Sequence, residues 1–177
     1  MKKMLIIMCC VGQIKAGCLA DFIGKYNHKL SKYELQKIEI GIIKASKPET
    51  RDYDYNISPY LLTGLLLKES TGKYWVVNKE NAQGLCQLIP KWNNATWSKM
   101  VMLHDTDKLT EIESGMFACG EALRERMKKA KGDINRALDF YHGHAYIKGE
   151  RFKYWRANYN QKIFSIAHKA KIFCNTI

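Results

Sequence analysis

Histidines and cysteines are few in this chain, and none are spaced as metal ligands are. The five histidines, at 28, 104, 142, 144 and 168, are scattered. No two cysteines stand at a zinc-binding interval, so neither a metal centre nor any other cofactor is expected. No apolar run is long enough to cross a bilayer, and no repeat or low-complexity tract suggests a scaffold. Strand patterns are also scarce: only KYWVV (73–77) reads as one, as part of a small ribbon. Acids are the scarcer charge, 17 against 29 Lys and Arg, for a net charge of +12.

What remains is a chain of 177 residues, 46% hydrophobic and with ten tyrosines. That suits one globular domain with a real core. The N-terminus, MKKMLIIMCCVGQIKAGCLA, has the parts of an export signal. Lys2 and Lys3 form a basic start, Leu5 to Val11 an apolar stretch, and Cys18-Leu19-Ala20 a small-x-small site. Residues 1–20 are therefore read as a signal peptide cut after Ala20, and 21–177 as an exported domain, periplasmic or secreted. A lipid-attachment reading of KAGC is weaker, because Lys15 stands where an aliphatic residue belongs. Removal of Lys2, Lys3 and Lys15 with no acid lowers the charge from +12 by three, to +9. Such a charge implies an anionic partner. Export disfavours nucleic acid and favours a wall polymer bearing carboxylates. Three cysteines remain after the cut, Cys86, Cys119 and Cys174, which in an oxidising compartment allow one disulfide and one free thiol.

The periodicity is helical almost throughout. Ser31 and Glu34 form a capping box ahead of Leu35, Ile38 and Ile42. A polar connection (46–56) follows. Ser58-Pro59 then opens a helix to about Ser70, with Leu61, Leu62, Leu65 and Leu66 as its buried stripe. Glu69 falls three and four residues beyond Leu66 and Leu65, so it shares their face. A core helix has no packing reason to end there. A carboxyl that must hold a proton at working pH has one, since apolar surroundings raise its pKa. Thr110 and Glu113 suggest a second capping box, ahead of Ile112, Met116, Cys119, Leu123 and Met127. Gly132 breaks that helix. Asp133 caps a short one carrying Ile134, Ala137, Leu138 and Tyr141, which ends near Gly143. Tyr159, Ile163, Ile166, Ala170 and Phe173 mark a last helix. The expected fold is mainly α, one helical domain with a long middle loop and a small irregular or β element beside Glu69.

Three segments in order, ES (69–70), QGLCQLIP (83–90) and ALDFYHG (137–143), resemble the motifs of the soluble lytic transglycosylase family, its small specialised members in secretion and conjugation systems included. The likeness runs from about Leu35 to Ile172. It departs at Asn78 (usually serine), Asn81 (glycine), Cys86 (methionine) and His142 (asparagine). The resemblance implies a lysozyme-like fold and peptidoglycan as substrate. It implies Glu69 as the catalytic acid, with Ser70, Asn78, Gly84, Gln87, Tyr141 and His142 about the glycan. Tyr141 is further expected to bond the catalytic carboxyl, and Gly84 to make a tight turn that lets sugar approach. Trp75, Trp92, Trp97 and Trp155 are candidates for stacking on sugars.

Most glycosidases need two carboxylates. Between Glu69 and Asp105 the only acid is Glu80, on a loop. One acid suffices where the substrate supplies its own nucleophile, as the resemblance implies: the muramyl C6 hydroxyl closes on C1 to give a 1,6-anhydro end. A muramidase using water, a phage lysin and a non-catalytic wall-binding module are the competing expectations.

Overall fold

Ser58 precedes Pro59, whose fixed φ and missing N–H suit a first helical turn, and the helix they open carries Glu69 as its last residue. The computed structural model describes residues 14–48, 55–104, 108–143 and 150–176. The leader's Lys2 to Val11, most of the polar connection (49–54), His144 and the side chains of Trp97 and His104 lie outside the described set. Within it are seven α-helices: α1 (Cys18–Gly24), α2 (Lys32–Ala45), α3 (Pro59–Glu69), α4 (Asn94–His104), α5 (Ile112–Lys129), α6 (Ile134–Tyr141) and α7 (Glu150–Thr176). A 3-10 turn spans Pro90–Trp92.

Two helix pairs build the core, α3 on α7 and α2 on α5. Leu62, Leu65 and Leu66 of α3 are fully buried, as are Ile163 and Ala170 of α7, each leucine contributing about 1.5–3 kcal/mol. Gly64 lets the backbones of α3 and α7 nearly touch: a Cβ there would fall 2.5 Å from the Ile163 carbonyl. That approach brings the C-terminal end of α3 to the N-terminal half of α7. Buried Arg124 ties both ends of the polar connection to α5, its Nε donating to the Tyr55 carbonyl at 3.1 Å and its Nη2 to that of Ala45. Glu121 balances its charge at 2.9 Å.

The capping box at Ser31 and Glu34 is present, with the Ser31 side chain accepting the Glu34 N–H. Asp133 caps α6 through the Arg136 N–H. The second expected box is not there. α5 begins at Ile112 behind Glu111, without a side-chain cap, and the Ser114 hydroxyl donates to the Lys108 carbonyl instead. The expected long middle loop contains α4, whose buried face is carried by Met100 and Thr96 rather than by an apolar stripe. KYWVV forms no strand. Isolated bridges join Val77 to Gln83 and Gln83 to Leu88, a tight doubled turn instead of a ribbon.

The N-terminal expectation also changes. Cys18 and Cys174 form a disulfide, as do Cys86 and Cys119. All four described cysteines are thus paired, where one bridge and one thiol were expected. A cut after Ala20 would divide α1 and remove Cys18 and Leu19, both fully buried. No helix among the described residues is long and apolar enough to cross a membrane.

Candidate active site

Glu69 ends α3 at the rim of the leucine core, half-buried, with its carboxyl facing α7. The Tyr159 hydroxyl, from α7, donates to its Oε1. Burial pushes the Glu69 carboxyl above the ordinary carboxylate range, while the Tyr159 hydroxyl and the Lys68 ammonium pull it back in part. Lys68 is the one charge acting on it among the described residues, and no second carboxylate does. Glu80 sits exposed on the loop beyond. The arrangement is that of a carboxyl whose burial favours its acid form and whose orientation is held by a phenol.

Tyr159 was not singled out from the sequence as a site residue. It belongs to the apolar stripe of the last helix and is buried as that stripe predicts. Its ring packs on His142, centroids 4.2 Å apart, and the Lys68 Nζ lies 5.0 Å from its centre. Burial, and then the Glu69 charge, drive its own pKa well up, so it stays a donor. Next to it Asn160 bonds Asp139 at 3.1 Å and the Asn135 carbonyl at 3.1 Å, which fixes α7 against α6.

Tyr141, expected on the carboxyl, is not bonded to it. Its hydroxyl donates to the Cys86 carbonyl at 2.8 Å. Because Cys86 is bridged to Cys119 on α5, Tyr141 and the disulfide together clamp the QGLCQLIP loop over the site. Ser70 is buried and caps α3, its hydroxyl donating to the Leu66 carbonyl and accepting the Gly72 N–H, both at 3.2 Å, so its proton is committed to the helix end. Asn78 is exposed, and its Oδ1 accepts the N–H groups of Glu80 at 2.8 Å and Ala82 at 3.0 Å. The Gln87 amide donates to the carbonyls of Gly84 at 3.0 Å and Val76 at 3.2 Å, which shapes the turn and leaves its oxygen for a glycan. Gly84 does have a positive φ of 71°, but what approaches it is protein: an added Cβ would lie 2.0 Å from the Leu109 carbonyl. His142 is exposed at the same rim as Glu69. Trp75, Trp92 and Trp155 are exposed, as stacking platforms must be.

The two tyrosines are separable by experiment. Tyr159→Phe removes a donor to the carboxyl, a bond worth about 1.5–3 kcal/mol once Glu69 has given up its proton and is charged, so activity should fall roughly 10- to 100-fold. Since that hydroxyl lowers the Glu69 pKa, its loss should also move the alkaline limb of the pH–rate profile upward. Tyr141→Phe should instead lower stability and leave the limb in place. A limb unmoved in Tyr159→Phe would mean that the working enzyme does not use this contact.

Residues 48–164, about two thirds of the chain, match the model of the transglycosylase SLT domain family. No curated protein and no solved structure matches the chain. The match spans Glu69, the clamped loop and Tyr159, and with it the chain belongs to the transglycosylase SLT domain family, lytic transglycosylases that act on peptidoglycan as glycosidic-bond lyases.

Proposed function

We propose that the protein is exported and cleaves the β-1,4 bond between N-acetylmuramic acid and N-acetylglucosamine, leaving a 1,6-anhydro end. The observation that carries this is the Glu69 carboxyl, bonded by the Tyr159 hydroxyl, its pKa raised by burial and no second carboxylate acting on it among the described residues. Glu69 gives its proton to the glycosidic oxygen, and the N-acetylglucosamine side departs as an alcohol. The substrate's N-acetyl oxygen stabilises the positive charge at muramyl C1. The Glu69 carboxylate then takes the C6 hydroxyl proton while that oxygen bonds C1. Glu69 ends as it began, and no water is consumed. His142, packed on Tyr159, is assigned to the glycan, as are Asn78 and the Gln87 oxygen on the strength of the motif resemblance; Ser70, Gly84 and Tyr141 hold the frame. Mass spectrometry of the released muropeptides tests the reading. Products lighter by one water than those of a muramidase are expected, and hydrated ends alone would assign hydrolysis.

Export is supported by the leader pattern and by the two disulfides, bonds that persist in oxidising compartments. Local wall opening for a secretion or conjugation apparatus is the finest part of the proposal, and rests on likeness to small members of that kind.

Charge should contribute to wall association. Screening lengths fall from about 30 Å at 0.01 M salt to about 3 Å at 1 M. Binding of the processed protein to insoluble peptidoglycan should weaken markedly across that range in a pelleting assay. Salt-independent binding would leave the surplus of Lys and Arg without a role there.

A further inference from the structure

Glu39, on α2, is 5% exposed and carries a carboxyl that no described cation pairs with. Its Oε2 accepts the Gly17 N–H at 3.0 Å and its Oε1 the Leu19 N–H at 3.1 Å. An ionised group so buried is costly unless it is paired. Its donors lie in the segment that the leader pattern marks for removal. That segment is anchored: Cys18 is bridged to Cys174, and Cys18, Leu19 and Ile23 have no solvent exposure.

We propose that the leader is removed by hydrolysis of the Ala16–Gly17 bond, so that the new Gly17 ammonium meets the Glu39 carboxylate. The proposal rests on the export reading above. Water adds across the bond, leaving a carboxylate on Ala16 and an amine on Gly17 that protonates.

Two limits leave little choice of bond. A leader of this kind runs from about 15 residues upward and ends on a small residue, with a second small residue two positions earlier in the usual pattern, where Ala16 has Ile14. The fold requires Cys18 to remain. Cuts after Lys15, Ala16 and Gly17 are then the candidates, and Lys15 is not small. A cut after Gly17 would discard the N–H that Glu39 accepts and the carbonyl that receives the Asp21 N–H at 2.9 Å. Ala16 is exposed in a turn just ahead of α1, within reach of a peptidase. Cleavage there gives up the bond from the Cys18 N–H to the Lys15 carbonyl, at 3.2 Å, and the packing of Ile14. It replaces an amide by a full positive charge on a buried carboxylate. Lipid attachment at Cys18 is excluded while its sulfur is bonded to Cys174.

The full chain, expressed in bacteria with its own leader, should be recovered outside the cytoplasm with Gly17 first by N-terminal sequencing and intact mass. A start at Asp21 or Cys18, a lipid mass on Cys18, or an exported but uncut chain would overturn the site and leave export standing. An uncut chain confined to the cytoplasm would overturn both. Ala16→Leu, in an exposed turn, should abolish processing and accumulate the precursor; processing at the parent rate would sink the assignment. Glu39→Gln should lower the melting temperature of the processed chain more than that of the Ala16→Leu precursor. Equal losses would show that Glu39 serves only as a cap and that no ion pair forms.

Discussion

Glu69→Gln should lose at least the ~10²–10⁴-fold that a missing general acid costs, with turnover on purified peptidoglycan falling to background. The amide keeps the size and can still bond the Tyr159 hydroxyl, but it has no acid proton to give. The fold should not suffer. Burial holds the Glu69 proton to a higher pH in the folded chain than in the unfolded one, so the folded state binds more protons wherever the carboxyl titrates. Stability from this group is therefore whole below the ordinary carboxylate pKa and is lost as pH rises through the raised value. Glu69→Gln, which never ionises, should melt no lower than the parent at neutral pH and lose that advantage in acid. The parent's activity should fall as pH climbs through the same raised value, because the acid form does the work. Glu80→Gln is the control. It is exposed and is not among the groups that act on Glu69, so substantial activity should remain. If Glu80→Gln were folded and as inactive as Glu69→Gln, a second carboxylate would be needed, and a muramidase using water would become the better reading.

The position of Glu69 was legible because two independent patterns met there. Leucines at helical spacing said which way the residue faces, and the segments around Gln87 and Tyr141 supplied the role expected of such a glutamate. Tyr159 was not legible. A tyrosine in an apolar helical stripe looks the same whether its hydroxyl meets a carboxyl or a backbone carbonyl, and only the approach of α7 to α3 at Gly64 decides it. Tyr141 shows the same ambiguity from the other side: its motif marked it for the site, and it bonds the Cys86 carbonyl of the covering loop. The N-terminus is ambiguous for a compositional reason. Cys18-Leu19-Ala20 is small and apolar, as the end of a leader is and as a buried helical turn is. The partner that tells the two apart, Cys174, is 156 residues away. α4 was hidden because Trp97, Val101, Met102 and Leu103 give no single apolar face; of its apolar residues Met100 is fully buried, while Val101, Met102 and Leu103 are exposed.

The residue with the largest expected effect on the frame is Gly84, and the reason is backbone against backbone. Its φ of 71° is one that side chains rarely tolerate, and a Cβ would sit 2.0 Å from the Leu109 carbonyl oxygen. That oxygen is crowded by a second backbone as well, since a Cβ on Gly115 would lie only 2.7 Å from it. Gly84 also anchors the loop over the site, donating to the Val76 carbonyl at 2.9 Å and accepting the Gln87 N–H at 3.3 Å. Gly84→Ala therefore combines left-handed strain, about 1–2 kcal/mol, with an overlap that only a backbone shift relieves, about 1–3 kcal/mol or more. A loss of about 4 kcal/mol should lower the melting temperature by roughly 10 °C in a chain this size. Activity should fall at temperatures where the protein is still folded, as the turn moves away from Glu69. Gly132→Ala separates the two causes. Its φ is 84°, but a Cβ there would meet only the Tyr55 ring, at 3.7 Å. It should carry the strain alone, about 1–2 kcal/mol and a few degrees, with activity intact. Equal melting shifts in the two variants would mean that the contact with Leu109 does not hold the loop, and that the clamp over Glu69 rests on Tyr141 and the Cys86–Cys119 bridge.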